Sequence, residues 1–165
     1  VTKFEIPEED IEIIYNPVDN EKFKPIKSEV KDAIFFVGTI DYLRRETIMD
    51  LIDYTADNNK ELWIVGEDKS NYLPAILMNS HVKHFAPTWN VEPYVQKCSE
   101  TAGIQLGRTT IEGWISGKPG WIYRVDSNGD ILDVNLYEPP TDLEKYFYLN
   151  VAKSIEKEYK KILIW

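Results

Sequence analysis

Residues 107–119 read GRTTIEGWISGKP and lie between two apolar runs of the chain. The pattern predicts a glycine turn, a short helix that carries Glu112 near its start, and a stop at the Gly-Lys-Pro sequence. The flanking runs, 101–106 and 119–123, are typical of buried strands. In open α/β sheets, ligands bind at the carboxyl ends of strands, where helix N-termini present free N–H groups. Glu112 is therefore either an acceptor for ribose hydroxyls or a carboxylate that the macrodipole favours near a helix start.

Strand and helix patterns alternate along the rest of the chain. We predict further strands at 11–15, 33–37, 61–65 and 82–85, and helices at 45–57, 72–78, 91–98 and 143–163. Asn90 is expected to cap the 91–98 helix, and Asn128-Gly129-Asp130 to form a turn. The terminal helix, within 141–165, carries an apolar stripe of Tyr146, Leu149, Ala152, Ile155, Tyr159 and Ile162. The alternation predicts an α/β fold, a Rossmann-like and mainly parallel sheet with helices on both faces.

Composition indicates a globular protein of 165 residues, 43% hydrophobic and 28% charged. The net charge of −9 argues against nucleic acid or a broad anionic membrane surface as the main partner. A lone cysteine, Cys98, excludes an internal disulfide and fits a reducing compartment. The sequence shows neither a membrane span nor a signal peptide, so we predict a cytoplasmic protein. Because the chain begins at Val1 rather than Met, we expect it to be part of a longer protein.

Five segments, in order, carry a family resemblance over residues 14–123. They read IYNPVDNEKFKP (14–25), FFVGTIDYLRR (35–45), LWIVG (62–66), VKHFAP (82–87) and the 107–119 sequence. They resemble, respectively, the opening of the second domain, the phosphate loop, two strand ends and the donor helix of retaining GT-B glycosyltransferases of the "glycosyl transferases group 1" type. The chain is thus similar to the C-terminal, donor-binding domain of those enzymes.

The resemblance implies one nucleotide-sugar-binding domain over 1–165, the C-terminal half of a two-domain enzyme. Its substrate would be a nucleotide diphosphate sugar, from which a hexosyl-type unit passes with retention to a glycan, a lipid or another acceptor, as in polysaccharide biosynthesis. The partner would be an N-terminal acceptor domain, without which this half would bind but not turn over. The family pattern requires no cofactor and no metal. Any membrane contact would be peripheral, through the full-length protein.

The resemblance also assigns the site residues. Arg44 and Glu112 take catalytic roles. The nucleotide-sugar-binding set is Gly38, Thr39, Arg44, Arg45, Pro87, Trp89, Gly107, Arg108, Thr109 and Glu112. Two interpretations stay open beside these roles: the adjacent arginines could be solvated charges at a helix start, and Trp89 could cover the core instead of stacking on a base.

The sequence departs from the family pattern at two positions. Thr39 stands where the family has an arginine, so Arg45 or Arg108 would have to supply that cation. Ile104 stands where the first of two glutamates contacts the donor sugar, leaving that contact to backbone amides around Gly107. The alternative is a catalytically inactive binding or interaction domain. The absence of a Gly-x-Gly-x-x-Gly sequence after the first strand argues against an epimerase or dehydrogenase. The two histidines, His81 and His84, lack partners at metal-ligand spacing, and we predict no metal site.

Overall fold

The computed structural model describes residues 11–27 and 29–162, with the backbone alone for Ile162. The strands are β1 (Ala33–Val37), β2 (Glu61–Val65), β3 (Val82–Phe85), β4 (Glu100–Ile104), β5 (Gly120–Val125) and β6 (Ile131–Tyr137). The helices are α1 (Arg45–Asp57), α2 (Leu73–Ile76), α3 (Glu92–Lys97), α4 (Arg108–Ile115) and α5 (Tyr148–Ile162). Short 3₁₀ turns lie at Tyr42–Arg44 and Leu143–Tyr146.

The strands form one sheet in the order β3-β2-β1-β4-β5-β6. The first five strands are parallel to one another, and β6 pairs antiparallel with β5. The predicted α/β, Rossmann-like and mainly parallel sheet is confirmed. Because β1 lies in the middle of the sheet, the apolar run Ala33–Phe36 is fully buried.

The alternation of side chains along β1 separates two apolar cores, one on each face of the sheet. Phe35 packs in a cluster with residues of α3 and α4, including Val95 and Ile111. Ile34 and Phe36 belong to the opposite cluster, together with residues of α1 and α2. The prediction of helices on both faces is therefore also confirmed.

The predicted strand at 11–15 is wrong. These residues have no regular secondary structure, and Ile13 is 68% exposed. The ring of Tyr15 instead packs on Tyr146, with ring centroids 4.9 Å apart. An apolar run does not specify which surface it meets, and this one lies beside α5 rather than in the sheet. The edge next to β5 is occupied by β6, a strand that the sequence analysis missed.

The predicted continuous helix at 143–163 is also wrong, because it breaks at Phe147. This residue has an extended backbone, with φ −69° and ψ 134°. Val18 explains the break: its N–H donates to the Tyr146 carbonyl, and its carbonyl accepts from the Tyr148 N–H. These bonds take backbone groups that a continuous helix would use. The predicted end of the helix at Leu163 lies outside the described residues.

Two local predictions have opposite outcomes. Asn90 does not cap α3, whose first flanking residue is Val91, with no side-chain cap. The turn at 128–130 is confirmed: the Asp126 carboxylate accepts from the N–H groups of Asn128 and Asp130, and Gly129 has a φ of +91°. This turn packs so closely against Leu43 that a Cβ on Gly129 would collide with the Leu43 carbonyl oxygen.

Candidate functional site

The chain reverses its direction of travel across the sheet between β1 and β4. From β1 it runs outward through β2 to β3, and it then returns to place β4 on the other side of β1. The carboxyl ends of β1 and β4 therefore flank a crevice of the kind in which open α/β sheets bind ligands. Gly38 follows β1 at this crevice, and Gly107 precedes α4. Topology alone thus brings together two of the predicted binding segments.

The loop after β1 approaches the loop after β2 closely. The Gly38 N–H donates to the Val65 carbonyl at 3.0 Å. A Cβ on Gly66 would collide with the Gly38 carbonyl oxygen, so the two loops require a glycine at position 66. The backbone of Gly38 is thereby fixed at the carboxyl edge of the sheet.

Arg44 lies directly over this glycine loop. A Cβ on Gly38 would lie 3.1 Å from Arg44 Nε. The Arg44 guanidinium donates from Nη1 to Asp41 Oδ2 at 2.5 Å, and about a third of the side chain (35%) stays exposed. Asp41 also accepts from the Arg44 N–H, which caps the 3₁₀ turn. Asp41 therefore holds the arginine in place beside Gly38 while part of the side chain stays exposed, and a guanidinium is a group that binds phosphate oxygens.

Arg45 faces a different part of the molecule. Its guanidinium lies 5.8 Å from the centre of the Tyr72 ring. It lines a separate cavity of about 400 Å³ with apolar residues of α1 and α2. The structure therefore brings Arg44, but not Arg45, to the loop at Gly38 and Thr39.

A cavity of about 330 Å³ opens at the carboxyl ends of β1, β2 and β3. It is lined by Val37, Gly38, Thr39, Val65, Gly66, Glu67, Pro87, Thr88 and Trp89. Four of the predicted binding residues, at positions 38, 39, 87 and 89, thus meet at one cavity. The Trp89 ring is fully exposed and does not cover the core, which leaves its flat face free at the cavity.

Glu112 lies on α4 with its side chain only 3% exposed. Arg108 Nε donates to Glu112 Oε1 at 2.8 Å, and Arg108 itself is 66% exposed. Burial raises the pKa of Glu112 above its ordinary value, and the positive charge of Arg108 opposes this shift. A carboxylate that is buried in this way differs from a solvated charge at a helix start. Its roles as a ribose acceptor and in catalysis stay predictions.

Close packing of α4 on β4 and β5 sets the position of this carboxylate. A Cβ on Gly113 would lie 2.5 Å from Thr101 Oγ1, and one on Gly120 would lie 2.6 Å from Thr110 Cγ2. The glycines therefore let α4 approach the sheet. Gly107 stands at the helix start with no side-chain cap, next to Arg108 and Thr109. The site roles of these three residues also stay predictions.

Three residues at this edge escaped the sequence analysis. Asp41 holds Arg44, and Glu67 lines the cavity. Gln105 has a positive φ of 57° directly after β4. The Asp-x-x-Arg spacing at a helix start could have indicated the first, whereas no sequence pattern indicates a left-handed glutamine. Ile104, at the position of the family's first glutamate, is partly buried against the apolar core. Its side chain supplies no carboxylate there.

Both histidines hydrogen-bond backbone carbonyl groups. His84 Nε2 hydrogen-bonds the Gly66 carbonyl at 2.7 Å, and His81 Nε2 hydrogen-bonds the Ile52 carbonyl at 3.1 Å. Within residues 11–27 and 29–162, no three His, Cys, Asp or Glu side chains group together as a metal would require. Burial raises the pKa of Cys98 to about 12, which keeps it a thiol. No helix within the same residues combines the length and apolarity needed to cross a membrane.

Comparison with known proteins rests on structure. No family model matches the sequence, and no curated protein matches it. A glycosyltransferase from Rickettsia africae superposes with a TM-score of 0.66 at 12% identity, over 97% of this chain and 59% of its own. Anabaena HepE, solved with UDP-glucose, superposes with a TM-score of 0.55 at 17% identity over 72% of this chain. The lipopolysaccharide outer core galactosyltransferase WaaB superposes with a TM-score of 0.51 at 18% identity over 70% of this chain. This chain shares its Rossmann-like α/β fold with part of each of these structures.

The shared fold makes up only part of those longer proteins. The chain spans 39% of HepE and 37% of WaaB. At identities below one fifth, the likeness shows the fold and not the substrate.

Proposed function

We propose that this chain is the donor-binding domain of a glycosyltransferase. It would hold a nucleotide diphosphate sugar at the carboxyl ends of β1 and β4 and present it to an acceptor bound by an N-terminal domain. The observation that carries this proposal is the placement of Arg44 against Gly38, beside the cavity that Trp89 also lines. The shared fold supports this proposal, because WaaB is a galactosyltransferase by name and HepE was solved with UDP-glucose bound.

Each end of the donor has a matching group in the site. The Arg44 guanidinium would bind the diphosphate, together with N–H groups at Gly107 and the start of α4. Trp89, with Pro87 beside it, would stack on the base. Glu112 would accept a hydrogen bond from ribose, with Arg108 opposing the rise in pKa that burial causes.

The chemistry would be stabilisation of charge. As the bond to the sugar breaks, negative charge grows on the departing diphosphate, and a fixed guanidinium and N–H groups stabilise it without rearrangement. Neither a cofactor nor a metal enters this scheme. We propose transfer of a hexosyl unit with retention, in the cytoplasm, and turnover only once the N-terminal domain closes the cleft. Membrane contact would come only through the longer protein.

A second candidate is a domain that binds the nucleotide but transfers nothing. Ile104 favours it, because this residue packs into the core where a donor-sugar carboxylate would otherwise stand. An assay of the full-length protein distinguishes the two candidate functions. Both would bind a nucleotide sugar, but only an active enzyme would consume it.

Thermal unfolding with added nucleotides tests the proposal. UDP, GDP and ADP are compared with uridine, guanosine and adenosine. A diphosphate at a hundred times its Kd should stabilise the fold by about 2.7 kcal/mol. Trp89→Ala should reduce this effect without lowering the Tm of the free protein, because the ring is fully exposed. If none of the three diphosphates raises the Tm, the proposal fails.

A further inference from the structure

A second cavity, of about 400 Å³, lies between α1 and α2, and we call it the α1/α2 cavity. Side chains of both helices line it, and Ile40 and Tyr72 contribute from the loops that precede them. Its size is typical of a small-molecule site. It shares no lining residue with the cavity at Gly38 and Trp89. A donor bound beside those two residues would therefore leave the α1/α2 cavity unfilled.

The inner wall of the α1/α2 cavity is aliphatic. Ile40, Ile48 and Ile76 line it and are 0%, 1% and 4% exposed. Met49 of α1 lines the outer part and is 42% exposed. An unbranched methionine adapts its shape to the group that it contacts. These side chains suit an aliphatic chain and offer no hydrogen bond to a polar ligand.

Arg45 places a positive charge at the mouth of the cavity. Among the lining residues in the described ranges it is the one charged side chain, and it is exposed. Its guanidinium lies 5.8 Å from the centre of the Tyr72 ring, close enough for a cation–π interaction. Within residues 11–27 and 29–162, no carboxylate pairs with it. Its N–H donors are therefore available to an anion.

Backbone contacts join the two loops that contribute to the cavity. The Ile40 N–H donates to the Glu67 carbonyl at 2.8 Å. Ile40 also forms an isolated parallel bridge with Asp68, whose carboxylate accepts from the Tyr72 N–H at 3.3 Å. The loop after β1 and the loop after β2 therefore hold each other. The wall that they form is in place before a ligand arrives.

We infer that the α1/α2 cavity binds an aliphatic monocarboxylate, with its chain against the three isoleucines and its carboxylate on Arg45. A carboxylate presents two oxygens that match the planar guanidinium fork. A hydrocarbon chain gains free energy when the isoleucines remove it from water. The net charge of −9 opposes a more highly charged anion. The inference does not rest on the proposed function, because the two cavities have no residue in common.

Calorimetric titration of this chain with octanoate tests the inference. Octanol and acetate are the matched probes, since the first lacks the charge and the second lacks the chain. Octanoate should bind about tenfold more tightly than octanol, the low end for a charged hydrogen bond. It should bind about a hundredfold or more above acetate, which has no chain to bury. No binding of octanoate, or equal binding of octanol or acetate, would overturn the inference.

A pair of arginine substitutions tests the carboxylate contact. Arg45→Gln should weaken octanoate about tenfold and leave octanol unchanged, because only the charged hydrogen bond is lost. Arg124→Gln is the matched control, since it removes an exposed arginine of β5 that does not line the cavity. It should leave both affinities unchanged. Equal losses in the two variants, or none in either, would overturn the inference.

The two methionines of the chain report the position of the ligand directly. Met49 lines the α1/α2 cavity, whereas Met78 is 86% exposed and does not line it. In protein labelled with ¹³C-methyl methionine, Met78→Leu identifies the two signals. Octanoate should shift the Met49 signal and leave the Met78 signal in place. Equal shifts of both signals, a shift of Met78 alone, or no shift would overturn the inference.

Discussion

Glu112 shows how burial and pairing together set the state of a single side chain. Its carboxylate is almost fully buried, and its ion-pair partner Arg108 is mostly exposed. The raised pKa follows mainly from loss of hydration, since the arginine acts in the opposite direction. The affinity of this group for a ribose should therefore depend on whether the carboxylate is ionised.

The stability of the fold should depend on pH through this group. The ordinary pKa of a glutamate is 4.5, and that of Glu112 in the folded protein is raised. Over the interval between the two values the folded protein binds more protons, so the free energy of unfolding falls as pH rises. Above the raised pKa this contribution is constant.

Glu112→Gln cannot titrate, so its urea unfolding should lack this fall when measured from pH 4.5 upward. Glu46→Gln, which removes an exposed carboxylate of α1, is the control and should follow the wild type. Parallel pH profiles for wild type and Glu112→Gln would contradict the burial argument.

The two adjacent arginines provide a matched pair for the phosphate site. Arg44→Ala should weaken a nucleoside diphosphate about tenfold and the matching nucleoside hardly at all, because a charged hydrogen bond to phosphate is lost. The expected loss is at the low end for such bonds, since Asp41 already shares the guanidinium. Titration calorimetry with UDP and uridine, and with the guanine and adenine pairs, measures both.

Arg45→Ala is the control, because that guanidinium packs on Tyr72. It should leave both affinities unchanged. Added salt should reduce the wild-type preference for the diphosphate and barely affect Arg44→Ala. A loss in Arg45→Ala equal to that in Arg44→Ala would instead support the earlier prediction that both cations bind the donor.

Sequence reasoning located these residues only in part. The family resemblance predicted that positions 38, 44, 107 and 112 belong to one donor site. It could not separate the directions of Arg44 and Arg45, because this depends on the Asp41 cap and on Tyr72, which is distant in sequence.

At the scale of elements, periodicity predicted the buried strands well and the surface elements poorly. The run Ala33–Val37 had to be central because it is apolar on both faces. The stripe predicted along α5 is mostly exposed instead: Leu149 is 57% and Tyr159 64% exposed, whereas Val151 is buried. The side chain of Ile162 lies outside the described part of the chain. A period of 3.6 residues identifies a helix face but not the neighbour that covers it.

The contact between the loops after β1 and β2 gives a prediction at this scale. Gly66→Ala should lower the free energy of unfolding by about 3 kcal/mol or more, because its Cβ collides with the Gly38 carbonyl and the backbone must shift. Urea unfolding followed by circular dichroism measures this change.

Gly107→Ala is the matched control for that substitution. Its Cβ would have no atom nearer than 3.9 Å, and the cost should stay within about 1 kcal/mol. Equal stabilities of the two variants would show that the loop after β1 yields easily, contrary to the close approach described here.

For the whole molecule, the sign of the charge restricts how a diphosphate can bind. The net charge of −9 repels an anion at long range. Binding must therefore come from short-range donors, the Arg44 fork and the N–H groups at the strand ends. The opposite edge of the sheet holds another cation, Lys60, but its ammonium is already paired with Asp32 and Glu100.

The most direct measurement is a ¹⁵N amide titration of this chain with UDP, GDP and ADP. At least one diphosphate should shift the amides of Gly38, Thr39, Gly66, Gly107 and Arg108. The amides of Lys60 and His81, beside a polar cavity at the opposite edge, should stay in place. Shifts confined to that opposite edge, or no shifts with any of the three, would contradict the nucleotide site at the ends of β1 and β4.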